Sequence, residues 1–305
     1  YENHAMPVFY RNVMYKPGEE SEDAACLKLY DGHDWKWFRA GLLHTDMEYL
    51  RRHWSGKKSS APVLEKRHQK YFLRFSYTEE VTLSKTPVKD QLICSVDLGI
   101  NTDAVCSIMR SDGTVLDRKF INFPSEKDRL SHVLGRIRRF QKEHGSKQIG
   151  SRWAYAKRLN TELARKTARS IAEYAHENHA DVIVFEYLEM KGKISGKKRQ
   201  KLHLWKKREI QTMCEHKAHR YGIRVSRVCA WNTSRLAYDG SGPVSRDPKN
   251  HSLCVFQSGK QYNCDLSASY NIGARYWIRE IIKTLPETER SSLEAKVPAV
   301  KRRTS

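Results

Sequence analysis

Three carboxylates stand at the ends of separate apolar, strand-like segments, and any fold open to this chain must give each of them a partner. Asp97 follows Leu92-Ile93-Cys94-Ser95-Val96, Glu186 ends Asp181-Val182-Ile183-Val184-Phe185, and Asp265 opens the apolar stretch that runs on through Leu266 and Ile272. A carboxylate set in apolar sequence is costly unless a cation or hydrogen-bond donors meet it. A hard divalent cation such as Mg²⁺ or Mn²⁺ would meet all three at once, since it takes carboxylate oxygens, water and phosphate as ligands. The sharp expectation is a two-metal phosphodiesterase site; the bland one for any single acid is a capping or solvated residue.

Charge points the same way. The 305 residues carry 56 Lys and Arg against 35 Asp and Glu, a net charge of +21. That excess is the electrostatic footprint of a polyanion partner, nucleic acid before an anionic membrane surface. No apolar run reaches the ~18 residues of a spanning helix, and the start has no signal-peptide pattern. The seven cysteines are odd in number and scattered through apolar patterns, which suits reduced core thiols in the cytoplasm.

Residues 1–90 read as mostly β. Segments 26–30, 35–40 and 71–77 alternate and are rich in aromatics, with Asp31-Gly32-His33-Asp34 as a turn between the first two. Lys28, Lys36, Arg39 and Arg74 interleave with Tyr, Trp and Phe, a pattern that suits a small base-stacking barrel and equally a core with solvated lysines outside. A boundary is expected at 84–90. From 91 the pattern turns α/β: strands at 92–98, 104–109 and 115–123, with Ser111-Asp112-Gly113 turning the last two, then two helices, the second about 152–179. A strand at 181–187 follows, then a basic connector at 191–201 and a helix stopped by Gly222. A strand at 223–229, a long loop region and a helix at about 266–284 complete the pattern, and 285–305 is expected to be disordered. This order is a ribonuclease H-like α/β arrangement with a mixed central sheet, the acids meeting at one end of it.

The segments Val96-Asp97-Leu98-Gly99-Ile100-Asn101, Phe185-Glu186-Tyr187-Leu188 and Cys264-Asp265-Leu266-Ser267-Ala268-Ser269-Tyr270-Asn271-Ile272-Gly273 closely resemble the split RuvC nuclease of the TnpB family, transposon-encoded RNA-guided DNA endonucleases related to type V CRISPR effectors. Trp205 before a basic helix ending in Lys217-Ala218-His219-Arg220-Tyr221-Gly222-Ile223, and Asn232-Thr233-Ser234 after the next strand, fit as well. The resemblance covers roughly 90–284; residues 1–90 are similar to the later part of the family's oligonucleotide-binding wedge barrel. It implies that Asp97, Glu186 and Asp265 are catalytic and hold two Mg²⁺ (or Mn²⁺) ions, that products carry 5′-phosphate ends, and that guide RNA and target DNA are the partners, with no membrane. The setting implied is the prokaryotic cytoplasm, near the nucleoid.

The chain departs from the family at 232–264, where members often carry two Cys-x-x-Cys pairs. Here Leu236-Ala237-Tyr238-Asp239-Gly240-Ser241-Gly242 replaces the first, and Cys254-Val255-Phe256-Gln257 keeps one sulfur of the second, so a metal-free turn and no zinc site are expected. Lys197, Lys198, Arg199, Lys201, Lys206, Lys207 and Arg208 are assigned to nucleic-acid binding, against the bland reading of a solvated loop. Trp205 reads first as a packing residue. Asn232, Thr233 and Ser234 lie near the site by topology, either positioning phosphate or holding the loop. Because the chain opens at Tyr1 and the family's first wedge strands and recognition lobe are not recognised, N-terminal truncation is expected. The alternatives to an RNA-guided endonuclease are an RNA-guided DNA-binding protein that does not cut, a guide-independent nuclease or resolvase of the same fold, and a truncated inactive remnant.

Overall fold

The computed structural model describes residues 9, 13–18, 23–67, 69–145, 149–187, 205–247, 250 and 252–296. The chain divides into two compact units, Tyr1–Glu80 and Val81–Ser305.

In the first unit, β1 (Tyr15–Pro17), β2 (Ala24–Tyr30) and β3 (Trp35–Gly41) form an antiparallel meander. The turn at 31–34 forms as its residues dictate: the Asp31 carboxylate accepts from the backbone N–H of His33 and of Asp34, and Gly32 takes a φ of 102°. Helix α1 (His44–Trp54) follows, then β4 (Lys58–Ser59), the hairpin β5 (Val63–Arg67) and β6 (Lys70–Arg74), and β7 (Tyr77–Thr78), which pairs with β4. The expected strand at 71–77 is thus two strands in different sheets. Phe9, Tyr15, Ala25 and Leu27 make the unit's core, while Trp35, Trp37 and Phe38 of β3 stay exposed.

The second unit is built on a five-stranded mixed sheet of β8 (Ile93–Asp97), β9 (Ala104–Met109), β10 (Val115–Ile121), β11 (Val182–Tyr187) and β12 (Arg224–Cys229), in the order β10-β9-β8-β11-β12. The first three form an antiparallel meander; β11 lies parallel to β8, and β12 parallel to β11. Central β8 and β11 read as nearly unbroken apolar runs because both faces are covered. On one face α2 (Pro124–His144), α3 (Gly150–Glu177) and α4 (Lys207–Arg220) gather. Ile171, Ala175, Cys214 and Ala218 of α3 and α4 pack there with Cys94, Val96, Ile183 and Phe185 of the sheet. On the other face α5 (Cys264–Lys283) sets Leu266, Tyr270, Tyr276 and Trp277 against Ile93, Val105, Val182 and Val184. The alternation 93/94 and 182/183 is the period of two that divides a strand's side chains between faces.

The boundary expected at 84–90 falls inside the second unit, and hydrogen bonds give the reason. The Ser84 N–H donates to Gly222 O at 2.8 Å, and the Asp181 carboxylate accepts from Ser84 Oγ, Thr86 Oγ1 and the Leu92 N–H. Asp181 therefore has a structural task, anchoring the entry of β11 beside β8. Gly222 takes a φ of 77° just past α4, the left-handed helix stop its position predicts. The segment 232–264 carries β13 (Ser245–Arg246), β14 (Leu253–Val255) and β15 (Gln261–Asn263), an antiparallel sheet over a small core of Ala237, Cys254, Phe256 and Cys264. Tail residues Glu287–Lys296, expected to be disordered, form α6, with Glu287 and Glu289 in its first turn where the helix dipole favours anions.

Candidate active site

Strand parity brings two of the three acids to one place. Residues 93, 95 and 97 of β8 and 182, 184 and 186 of β11 point to the face that α5 covers, and the register pairs Val96 with Phe185, so Asp97 and Glu186 follow at adjacent levels of neighbouring parallel strands. Helix α5 begins at the same edge, capped by the Asn263 side chain, which accepts from the Leu266 N–H at 2.9 Å, and Asp265 lies in its first turn. The three interact electrostatically. Burial, then the negative charges of Glu186 and Asp265, push the Asp97 carboxyl well above the usual carboxylate range, with the Arg246 guanidinium pulling the other way. Burial also raises Glu186, against the Thr233 hydroxyl, Arg275 and Lys207, and it raises Asp265, against Arg246. The site is short of positive charge.

Among the described residues no group of three or more His, Cys, Asp or Glu stands close enough to hold a metal ion as the side chains lie. The donor set is carboxylate oxygen only, which suits a hard divalent ion and not zinc in a thiolate site. Cys254 and Cys264 lie side by side in the apolar core of the 232–264 segment, and Cys229 ends β12. His251 lies outside the described residues.

The loop after β12 supports Glu186. Asn232 adopts a φ of 62°, which asparagine tolerates, and the next residue, Thr233, is buried with its hydroxyl donating to Glu186 Oε1. Asn271 Nδ2 donates to the carbonyls of Thr233 and Leu236 at 2.9 and 2.8 Å, and Arg275, one turn further along α5, donates to those of Cys229 and Trp231. Gln211 Nε2 donates to the Glu186 carbonyl at 2.8 Å. Of these, Asn232 and Thr233 stood among the sequence candidates, and here Thr233 holds an acid. Arg246, Gln211, Asn271 and Arg275 were not singled out; the i, i+4 pair of polar residues on the helix that begins with Asp265 was the available signal.

The basic run divides. Lys197, Lys198, Arg199 and Lys201 lie outside the described residues. Lys206 is held by Glu209 and by Thr161 Oγ1, Arg208 is exposed, and Lys207 is buried. Trp205 packs against the core that α4 shares with the sheet, its indole N–H buried without a hydrogen-bond partner among the described residues.

Comparison with known proteins gives matches in sequence and in fold. The Cas12f1-like TNB domain family matches residues 208–272. A TnpB-like protein of Aquifex aeolicus is 26% identical over 247 residues, 73% of this chain and 79% of that protein. A TnpB-like protein of Acidianus two-tailed virus is 28% identical over 60% of this chain and 42% of its own length. The structure of the mini-RNA-guided endonuclease CRISPR-Cas_phi3 superposes with a TM-score of 0.54 at 14% identity, covering 82% of this chain and 57% of that one. C2c1 of Alicyclobacillus acidoterrestris, solved in complex with single-guide RNA, gives 0.51 at 10% identity over 85% of this chain and 50% of its own. The chain thus spans only about half the length of the solved proteins whose mixed α/β fold it shares. The chain is similar in sequence to TnpB-like proteins and, over residues 208–272, to the Cas12f1-like TNB domain.

Proposed function

We propose that the second unit is a ribonuclease H-like, RuvC-type nuclease and that the chain acts as an RNA-guided DNA endonuclease of a transposable element, with the first unit as part of a wedge that meets nucleic acid. The observation that supports this most is electrostatic: Asp97 is disfavoured as an anion by burial and then by Glu186 and Asp265, at the edge where two parallel strands and the start of α5 meet. In this reading Asp97, Glu186 and Asp265 hold Mg²⁺ or Mn²⁺. Such ions supply Lewis acidity at the phosphorus and lower the pKa of a water nucleophile. The chain's own residues do the rest: Thr233 fixes the rotamer of Glu186, Asn271 and Arg275 hold the loop that carries Thr233, and Arg246 balances part of the acidic charge. Guide RNA is the partner that the names of the relatives suggest, target DNA is the substrate that the nuclease reading requires, and the net charge of +21 suits both. No helix among the described residues is long and apolar enough to cross a membrane.

A second reading, guided binding without cutting, draws on the three carboxylates not standing as a ready metal-ligating group. One experiment separates them: the full chain with the transcript of its own locus, matched target DNA and Mg²⁺. The nuclease reading expects 5′-phosphate products that Asp97→Ala abolishes. Intact DNA with both proteins, while both still retain it, supports the second reading and defeats the first.

A further inference from the structure

Lys207 is 8% exposed, a depth at which an ammonium group ordinarily has an acid to hold. Among the described residues it has neither an ion pair nor a hydrogen bond. Its Nζ lies 5.4 Å from the Trp205 ring centroid. The Trp205 indole N–H is sealed off without a hydrogen-bond partner among the described residues. Burial and the charge of Arg208 hold the amine below the usual lysine range, and Glu186 pulls it back up.

Topology fixes where that charge lies. Strands β11 and β12 are parallel, so α4, which joins them, runs back along the sheet and opens at the edge where Glu186 lies. Gln211, one turn after Lys207 on the same helical face, donates to the Glu186 carbonyl at 2.8 Å. Lys206 is already neutralised by Glu209, and Arg208 is exposed on another face, so of the three consecutive cations Lys207 is the one buried at the edge where Glu186 lies.

We propose that Lys207 is a catalytic residue whose ammonium takes a non-bridging oxygen of the scissile phosphate and stabilises the charge that builds there. This rests on the nuclease reading above. The step it assists forms a phosphorus–oxygen bond to water and breaks the bond to the 3′ oxygen. One water proton ends on the departing oxygen, the other leaves with the new phosphomonoester, and the ammonium keeps its protons throughout. A lysine buried only to pack its stem on Trp205 would make no such contact, and the two roles differ in what they change.

The test uses the full chain with its locus transcript and target DNA in Mg²⁺, comparing wild type, Asp97→Ala and Lys207→Met. Methionine preserves the stem and removes the charge. Single-turnover cleavage by Lys207→Met is expected to fall about 10²-fold, as on loss of one preorganised donor, while DNA affinity changes less than about threefold and the melting temperature does not drop. A phosphorothioate diastereomer with sulfur in place of the contacted oxygen should slow wild type at least about threefold more than Lys207→Met, since the two perturbations share one contact. Lys207→Met cutting at the wild-type rate, or slowing with an unchanged thio effect in both diastereomers, overturns the inference alone. Wild type that leaves the DNA intact overturns the nuclease reading and this inference with it.

Discussion

Replacing Asp97 by Asn should make the metal-free protein more stable, the reverse of what removing a polar residue from a structured site usually does. The carboxyl ends β8 beside Glu186 and Asp265, and both of those charges oppose its ionisation. Two unit charges roughly 6 Å apart at an effective dielectric near 20 repel by about 3 kcal/mol, and asparagine removes that term at nearly constant volume. At roughly 2–4 °C per kcal/mol, the melting temperature in EDTA at pH 7.5 should rise by about 6–12 °C. The sign of the pH dependence follows. A carboxyl held above its unfolded value in the folded state keeps its proton when the unfolded chain has lost it, so the native state binds more protons and stability falls as pH rises from the ordinary carboxylate range. Wild type without metal should therefore lose melting temperature between about pH 4 and neutrality more steeply than Asp97→Asn. Mg²⁺ at ~1,000 times its Kd should reverse the order, since it adds about 4.1 kcal/mol to the protein that binds it, more than the repulsion of about 3 kcal/mol. The measurement is a thermal melt of both proteins over pH, with EDTA and with Mg²⁺. A lower melting temperature for Asp97→Asn in EDTA, or an equal Mg²⁺ gain in both, refutes the argument that these carboxylates share one cation-demanding field.

Thr233→Val removes the hydroxyl that donates to Glu186 and should raise the Mg²⁺ concentration for half-maximal cleavage by about 10–100-fold, read by titration at fixed DNA. Gly99→Ala should cost stability in urea melts by about 1–3 kcal/mol, because a Cβ there would stand 2.5 Å from the Thr102 carbonyl oxygen in the turn that leaves Asp97, and backbone cannot yield as a side chain can. Phe256→Ala should cost about 3–5 kcal/mol locally and release the 232–264 segment, seen as faster amide exchange in β13–β15, since the side chain is 3% exposed in that segment's small core.

What could be read in the chain and what could not divide along a physical line. The sheet was readable because periodicity is local: the two-residue alternation through 92–97 and 181–186 already puts Asp97 and Glu186 on the same faces as their apolar neighbours, and parallel pairing then needs only the crossover helices that the 3.6-residue patterns supply. The seam between units was misplaced because composition at 84–90 resembles a linker, while the bonds that tie it down reach Asp181 and Gly222, about a hundred residues away. The support of the site was invisible for the same reason. Asn271 and Arg275 act on backbone carbonyls of residues 229–236, which carry no side-chain signature, and Arg246 reaches the acids from a two-residue strand that no periodicity marks. The basic run shows the converse: a block of like charge in sequence reads as one surface, yet helix geometry turns Arg208 outward, gives Lys206 a carboxylate and buries Lys207 toward Glu186. A charge run therefore predicts a field, and the face of the helix it starts decides which of its members is paired, buried or left to solvent.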